Sequence, residues 1–371
     1  MKYLNKYYIN LIEKEFNGRY NPDEEYLGVD KQINKEEPVV SVLVSTYQHE
    51  QFIRECISSI LKQKTDFQYE ILIGEDGSSD GTRDICKEIA ENHTDRIRLF
   101  LRDRATSQFY DSDGNYVARF NVSWLRKSSR GEFIAICEGD DYWIDSNKLQ
   151  KQVDALRVHT DCSFCFHPAK IDNIQDKEVE KFTGNHFEKI RKIDIHDMIK
   201  GGGHYSPTAS IMINRKVNEK LLQSSYIHLF PVLDYYVQIL SLSVGKGLYL
   251  PDVMSAYRVG VPGSWNQNNR SVEKKVSHMI EMMISNRFFN KKLDYKYHRS
   301  FIEKEKKDIR RTFKNSHSYN RKTISRIKSL VNESTSGDLF LKCRWQIFMS
   351  YLYYKLNFKS VIPILRKIKI R

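Results

Sequence analysis

Two short segments crowd carboxylates into turns. GEDGSSDGT (Gly74 to Thr82) carries Glu75, Asp76 and Asp80, and EGDDYW (Glu138 to Trp143) sets Glu138, Asp140 and Asp141 around one glycine. Uncompensated carboxylates this close repel one another, so a cation or a donor-rich ligand explains them better than folding does. A hard divalent ion takes oxygen ligands and commonly shares them with substrate phosphates. Helix capping is the alternative for Asp80 and Asp145, and the weaker one for Asp140. A third cluster, His159, Cys162, Cys165 and His167, has a Cys-x-x-Cys core. CSFCFHPAKI alternates like a strand, which points Cys162 and Cys165 to opposite faces, and no second cysteine pair exists to complete a zinc site. The cysteines read as reduced, packed thiols.

Both acidic turns follow strands. PVVSVLVST (Pro38 to Thr46) is a near-continuous apolar run, which predicts a strand buried on both faces. A helix with Phe52, Ile53, Cys56, Ile57, Ile60 and Leu61 at 3.6-residue spacing is expected over about 50–62. YEILIG (69–74), IRLFL (97–101) and EFIAIC (132–137) are further strands, with a helix ending at Ser128 or Ser129 and another over 146–158. The alternation predicts an α/β fold with a mostly parallel sheet and flanking helices. In such sheets ligands bind beyond the carboxyl ends of the strands, where both acidic turns lie. A strand is expected over 162–171, a polar surface excursion over 172–200, a strand after the triple glycine 201–203, a helix over 231–243, and short strands over 247–250 and 256–259.

The chain has 371 residues and a formal charge of +13. Residues 270–371 hold 26 lysines and arginines against 8 acidic residues, whereas 1–269 hold 34 against 39. The basic part reads as all-helical, with helices over about 272–290, 297–314, 321–331, 338–356 and 360–369. The organisation expected is therefore a polar N-terminal arm (1–37), an α/β unit (38–269) and a basic helical region (270–371). No stretch reaches the ~18 uninterrupted apolar residues of a membrane span, and the charged N-terminus lacks the apolar core of a secretory signal. A cytoplasmic protein is expected. The basic tail, with aromatic and leucine anchors between Trp345 and Leu356, suggests peripheral attachment to an anionic inner membrane face, or packing on the catalytic unit or on a second subunit of a homo-oligomer.

SVLVSTYQHEQFIRECISSIL, YEILIGEDGSSDGT and RGEFIAICEGDDYWIDSNKLQKQV, with weaker echoes in SPTASIMINR and LPDVMSAYRVGVPGSW, resemble the family 2 glycosyltransferases of the GT-A fold over about 38–265. The resemblance implies transfer of a sugar from a nucleotide-linked donor, UDP foremost, to a hydroxyl of a surface glycan or lipid-linked acceptor. It assigns Ser45, Thr46, Tyr47, Asp76 and the neighbouring Glu75 to the nucleotide, and a carboxylate at Asp76 is chemically able to accept a uracil N–H. The family's Asp-x-Asp metal motif maps onto Glu138-Gly139-Asp140, for Mn2+ or Mg2+. Asp234 maps onto the general base of inverting relatives, with first-turn interaction with the helix dipole as the alternative. Asp141, Trp143 and His204 are the acceptor-side candidates, although a lone loop histidine is more often simply solvated.

Two departures stand out. Glu138 replaces the first Asp of the motif, and Gly260 stands where relatives often carry a metal- or diphosphate-binding His. Arg258 is a substitute contact for the donor, or else a surface ion pair. No G-x-G-x-x-G follows the first strand and no G-x-x-x-x-G-K-[ST] occurs, which removes nicotinamide oxidoreductases and phosphate-loop NTPases. Arg344-Trp345 lacks the Gln of the Gln-x-x-Arg-Trp motif of processive synthases, which favours addition of one or a few sugars. The competing class is a basic protein binding nucleic acid or membrane with an inactive α/β unit; no nucleic-acid motif supports it.

Overall fold

A near-continuous apolar run rich in β-branched residues favours a strand covered on both sides, and Val40–Thr46 forms one, β1. In the computed structural model, which describes residues 5–21, 24–174, 181–184, 186–230, 233–262 and 272–312 with the single positions 325 and 329, β1 lies inside the main sheet. Ahead of it runs α1 (Lys6–Gly18); after it come α2 (Ile53–Leu61), β2 (Tyr69–Glu75), α3 (Thr82–Asn92) and β3 (Ile97–Leu101). One helical turn, α4 (Arg104–Ser107), leads into a hairpin of β4 (Gln108–Tyr110) and β5 (Tyr116–Arg119). Next are α5 (Asn121–Ser128), β6 (Phe133–Ile136), β7 (Tyr142–Trp143) and α6 (Lys148–Val158). The unit ends with β8 (Cys162–Phe166), β9 (Ala169–Asn173), β10 (Lys181–Thr183), β11 (Arg191–Ile193), α7 (Ile195–Gly201), β12 (Met212–Asn214), α8 (Arg215–Leu222), α9 (Leu233–Leu242), β13 (Lys246–Tyr249) and β14 (Ser255–Val259).

The large sheet has the order β11-β13-β8-β12-β6-β1-β2-β3. It is parallel from β6 through β1 and β2 to β3, while β12 enters antiparallel between β6 and β8 and β11 closes the other edge antiparallel. The α/β expectation with a parallel-rich sheet and flanking helices is met. Val40, Val42 and Val44 pack with α2, α3 and α6 into one core, joined by Ile57, Cys86 and Val153. A smaller four-stranded sheet, β10-β9-β14-β7, takes the strand that follows the second acidic turn.

The structure departs from the sequence reading in two local ways. The single strand expected over 162–171 is two strands in different sheets, broken at His167-Pro168, where Pro168 has no N–H to donate to a ladder. The segment read as a polar arm holds α1, capped by Asn5, which accepts from the Tyr8 N–H at 3.0 Å. Its Ile12 and Phe16, four apart, pack with Phe109, Phe120, Trp124 and Leu229, and the Trp124 indole donates to the Phe16 carbonyl at 3.0 Å.

Contacts divide the chain near residue 264 into two compact units. In the second, α10 (Val272–Lys292) and α11 (His298–Thr312) are joined by an Arg287–Glu305 ion pair at 2.8 Å. The helices expected over 321–331, 338–356 and 360–369, and with them the basis of the membrane and second-subunit readings, lie outside the described residues apart from the single positions 325 and 329, which are helical. No described helix is long and apolar enough to cross a membrane.

At the amino end of the parallel strands Glu70 is fully buried and accepts from Ser41 Oγ at 2.6 Å and the Arg130 N–H at 2.9 Å, while pairing with Arg130 and Arg98 at 2.8 and 3.2 Å. Removing this shared acceptor leaves buried donors unmatched, and Glu70→Ala is expected to cost about 3 kcal/mol. Urea denaturation monitored by circular dichroism checks the figure; a loss under about 1 kcal/mol contradicts the role given to Glu70.

Candidate functional site

Parallel pairing aligns strand ends. Ser45 lies beside Gly74 and Thr46 beside Glu75, and Leu43 beside Ile136, so the two acidic turns and the end of β1 emerge at one edge. Asn121, at the start of α5, laces this edge: its amide donates to the Gly74 carbonyl at 2.9 Å and to Ser45 Oγ at 3.3 Å. The link between the turns is equally close. A Cβ on Gly139 would stand 2.7 Å from both Thr46 Oγ1 and His49 Nδ1, so only glycine lets the Glu138–Asp140 turn approach β1 this closely.

Within the first turn the carboxylates divide their work. Glu75 is spent on the loop: it accepts from the Ser78 N–H at 2.6 Å and pairs with Arg83. Asp80 accepts from the backbone of Thr82 and Glu50 at 3.1 and 3.2 Å, which ties the entry of α3 to the loop before α2. Asp76 is buried, accepts from Ser107 Oγ, and meets Arg104 at 3.2 Å and Arg119 at 3.9 Å. Burial pushes its carboxyl up despite the Ser107 hydrogen bond and the arginines, which pull it down. The Arg104 guanidinium lies 3.4 Å from the centre of the Tyr47 ring, so Arg104 bridges Tyr47 and the buried Asp76.

Four carboxylates gather around the second turn. Burial, then Asp234, Asp140 and Asp141, push the Glu138 carboxyl well above its usual range. Asp141 is 1% exposed, accepts from the Arg258 N–H at 2.9 Å, and leaves Oδ2 without a partner; burial and Asp140 raise it strongly. Asp234, in the first turn of α9, takes a hydrogen bond from Thr208 Oγ1 at 3.3 Å. Burial raises its carboxyl, opposed by the Thr208 hydrogen bond, Arg126 and His204. Burial also raises the Tyr257 phenol, followed by Asp141, Glu138, Asp140 and Asp234, which marks it as a neighbour of all four. Ser45, Glu138, Thr208, Asp234 and Arg126 line a cavity of 40 Å3 together with apolar residues of β1, α5, β6 and α9.

Arg258 is 5% exposed and acts as a strut. It donates to the Asp140 carbonyl at 2.7 Å, pairs with Glu55, and lies between the rings of Tyr142 and Phe52 at 4.3 and 5.1 Å. Trp143 is 4% exposed, with its indole N–H on the Ala209 carbonyl at 3.0 Å and buried Lys148 4.1 Å from its ring; it faces the core. His204 is exposed, and its charge acts on Asp234. Gly260 has φ +93°, where a histidine would be strained, which accounts for the glycine at that position. Sequence reading missed His49, Arg104, Asn121, Arg126, Thr208 and Tyr257. Asn121 and Arg126 lie on a helix that follows no recognised motif, and only the helix's position before EFIAIC hinted at them.

Among the described residues no three His, Cys, Asp or Glu side chains converge as a metal cage. The donor set nevertheless fits a hard ion held partly by phosphate. Glu138 and Asp140 offer carboxylate oxygens at one strand end; Glu138 is raised first by burial and then by its carboxylate neighbours, and a cation would relieve that second contribution.

Residues 41–108 match the model of Glycosyl transferase family 2. An uncharacterized protein of Mycobacterium bovis is 28% identical over 230 residues, 61% of this chain and 60% of that protein; the chain thus spans about 60% of the length of that curated relative. The Escherichia coli UDP-Glc:alpha-D-GlcNAc-diphosphoundecaprenol beta-1,3-glucosyltransferase WfgD is 32% identical over 165 residues, 44% of this chain and 56% of that enzyme. S. aureus TarS 1–349, crystallised with UDP-GlcNAc, shares the fold with TM-score 0.58 at 15% identity, over 88% of this chain and 91% of that one.

Asp141 tests the electrostatics. Its folded pKa is raised, so the native state holds its proton more tightly than the unfolded chain and stability falls as pH rises from about 4 through the folded value. Asp141→Asn, which keeps the acceptor for the Arg258 N–H, is expected to raise the melting temperature of metal-free protein at pH 8 and to change it little at pH 4. Equal shifts at both pH values contradict the assignment.

Proposed function

The chain belongs to the family 2 glycosyltransferases, and from that premise we propose that it is a metal-assisted, inverting enzyme that moves a hexose-type sugar from a UDP-linked donor to a hydroxyl of a glycan or lipid-linked acceptor. The observation that carries the reading is the convergence of the β1 end, Asp76, the Glu138–Asp140 turn and Asp234 at one edge of a parallel-rich sheet. WfgD, whose name specifies a UDP-glucose donor and a diphosphoundecaprenol-linked acceptor, supports UDP and a lipid-linked glycan as the substrates to try first.

In this reading Asp76 accepts the uracil N–H, and Tyr47 offers a ring face to the base once Arg104 moves aside toward the diphosphate. Ser45 and Thr46 line the nucleotide. Asp140 and Glu138 hold the divalent ion, which when bound offsets charge building on the departing diphosphate. Arg258 holds the Asp140 backbone in place through its carbonyl contact and does not reach the donor. Asp234 takes the proton of the attacking acceptor hydroxyl, and its raised pKa brings it closer to neutrality than a free carboxylate, which suits a base. Thr208 keeps one of its oxygens oriented. His204, exposed beside it, is the acceptor-side contact we retain; Trp143 and Asp141 serve the fold of the turn.

A screen of sugar nucleotides for released nucleotide, with and without acceptor and divalent ion, tests the reading; no turnover of any UDP-sugar counts against it. Two substitutions separate the roles. Asp140→Ala is expected to abolish transfer and weaken UDP-sugar binding without unfolding, and near-normal activity in excess chelator contradicts the metal assignment. Asp234→Asn is expected to leave UDP affinity nearly unchanged and to lower turnover about 100-fold or more. Collapse of UDP binding with intact turnover of bound substrate removes Asp234 as the base.

A further inference from the structure

Arg126 has no role in the reading above, and its surroundings call for one. It sits on α5, 3% exposed, with its Nη1 buried and without a hydrogen-bond partner. Among the described residues that line the cavity with Ser45, Glu138, Thr208 and Asp234, it is the one cation. Burial lowers its pKa only to about 10, so the group stays charged at neutral pH. Asp234 offsets part of the charge, yet a buried N–H left without an acceptor is costly, and apolar side chains of similar volume commonly stabilise such positions. Val122, Leu125, Ile211 and Val237, also in the lining, would pack readily on one. Folding therefore does not explain an arginine here. At 40 Å3 the cavity exceeds the ~10–15 Å3 that a single water needs by the same measure, so it admits polar groups of a ligand.

Resting on the glycosyltransferase reading, we propose that Arg126 anchors the sugar being transferred, donating from its guanidinium to a hydroxyl or acyl oxygen of that sugar. The carboxylates of Glu138 and Asp234 share the cavity and disfavour an anionic sugar. The class of donor is a neutral hexose or N-acetylhexosamine, and a uronate is rejected. The bond fixes the sugar between the diphosphate and Asp234, so its loss costs binding of the sugar and leaves the nucleotide's own contacts untouched.

The test is calorimetric titration of wild type, Arg126→Met and Arg126→Lys with UDP, UDP-glucose, UDP-GlcNAc and UDP-glucuronate in the presence of Mn2+, with melting temperatures of the ligand-free proteins. UDP is expected to bind all three proteins equally. At least one neutral UDP-sugar binds wild type more tightly than UDP, and that gain falls by about tenfold or more in Arg126→Met, the scale of a hydrogen bond to a charged group; Arg126→Lys recovers part of it. UDP-glucuronate shows no gain. Arg126→Met melts no lower than wild type, a result that a structural role would not allow. Equal gains in wild type and Arg126→Met, a gain for UDP-glucuronate alone, or no gain for any sugar overturns the anchor while UDP binding stands. A lower melting temperature with parallel loss of UDP and UDP-sugar affinity assigns Arg126 to folding and overturns it as well. Failure of wild type to bind UDP is the separate result that removes the donor reading itself.

Discussion

Parallel hydrogen bonding of β1 to both β2 and β6 is the constraint on which the site depends. Each residue of a parallel strand is held at a set height against its neighbour, so Thr46 meets Glu75 while Leu43 meets Ile136. The three strands then end together, and the end of β1 and both acidic turns are delivered to one edge. A one-residue slip of β1 would send Val40, Val42 and Val44 away from the core they share with α2 and α3, so the apolar packing enforces the alignment.

This alignment has an electrostatic cost. Glu138, Asp140, Asp141 and Asp234 are brought near one another and partly out of water; burial and neighbouring carboxylates push Glu138 and Asp141 upward, and burial raises Asp234. The fold answers with fixed struts more than with counter-ions. Arg258 is braced by Glu55, Tyr142 and Phe52, and its side chain meets the second turn at the Asp140 carbonyl, leaving that carboxylate free. Crowded carboxylates of this kind are destabilising by themselves, and in the proposed function a divalent cation would relieve them.

The opposite end of the sheet is built on the reverse principle. Glu70 and Glu25 are buried yet fully matched, by Arg98, Arg130, Lys31, Ser41 and Asn34. Buried carboxylates are thus matched at one end of the sheet and crowded together at the carboxyl edge. The β4–β5 hairpin extends the rim by bringing Arg119 beside Asp76, and α1 supports the hairpin from behind through Phe16 and Phe109.

Local chemistry determined much of this from the sequence alone. The period of the apolar residues marked β1, β2, β3, β6, α2 and α6, and carboxylates packed into turns after strands marked where a ligand belongs, because strand period and turn composition act over a few residues. The α1 helix escaped because two buried side chains among many charges leave little periodic signal, and the break at His167-Pro168 was hidden by alternation that continued across it. Arg126, Thr208, Tyr257 and the bracing of Arg258 were decided only by tertiary structure. Arg258 meets Glu55 and Asp140 from 203 and 118 residues away, and Thr208 meets Asp234 across 26. No local pattern specifies such pairings, since they arise from which helices and strands the sheet order brings side by side.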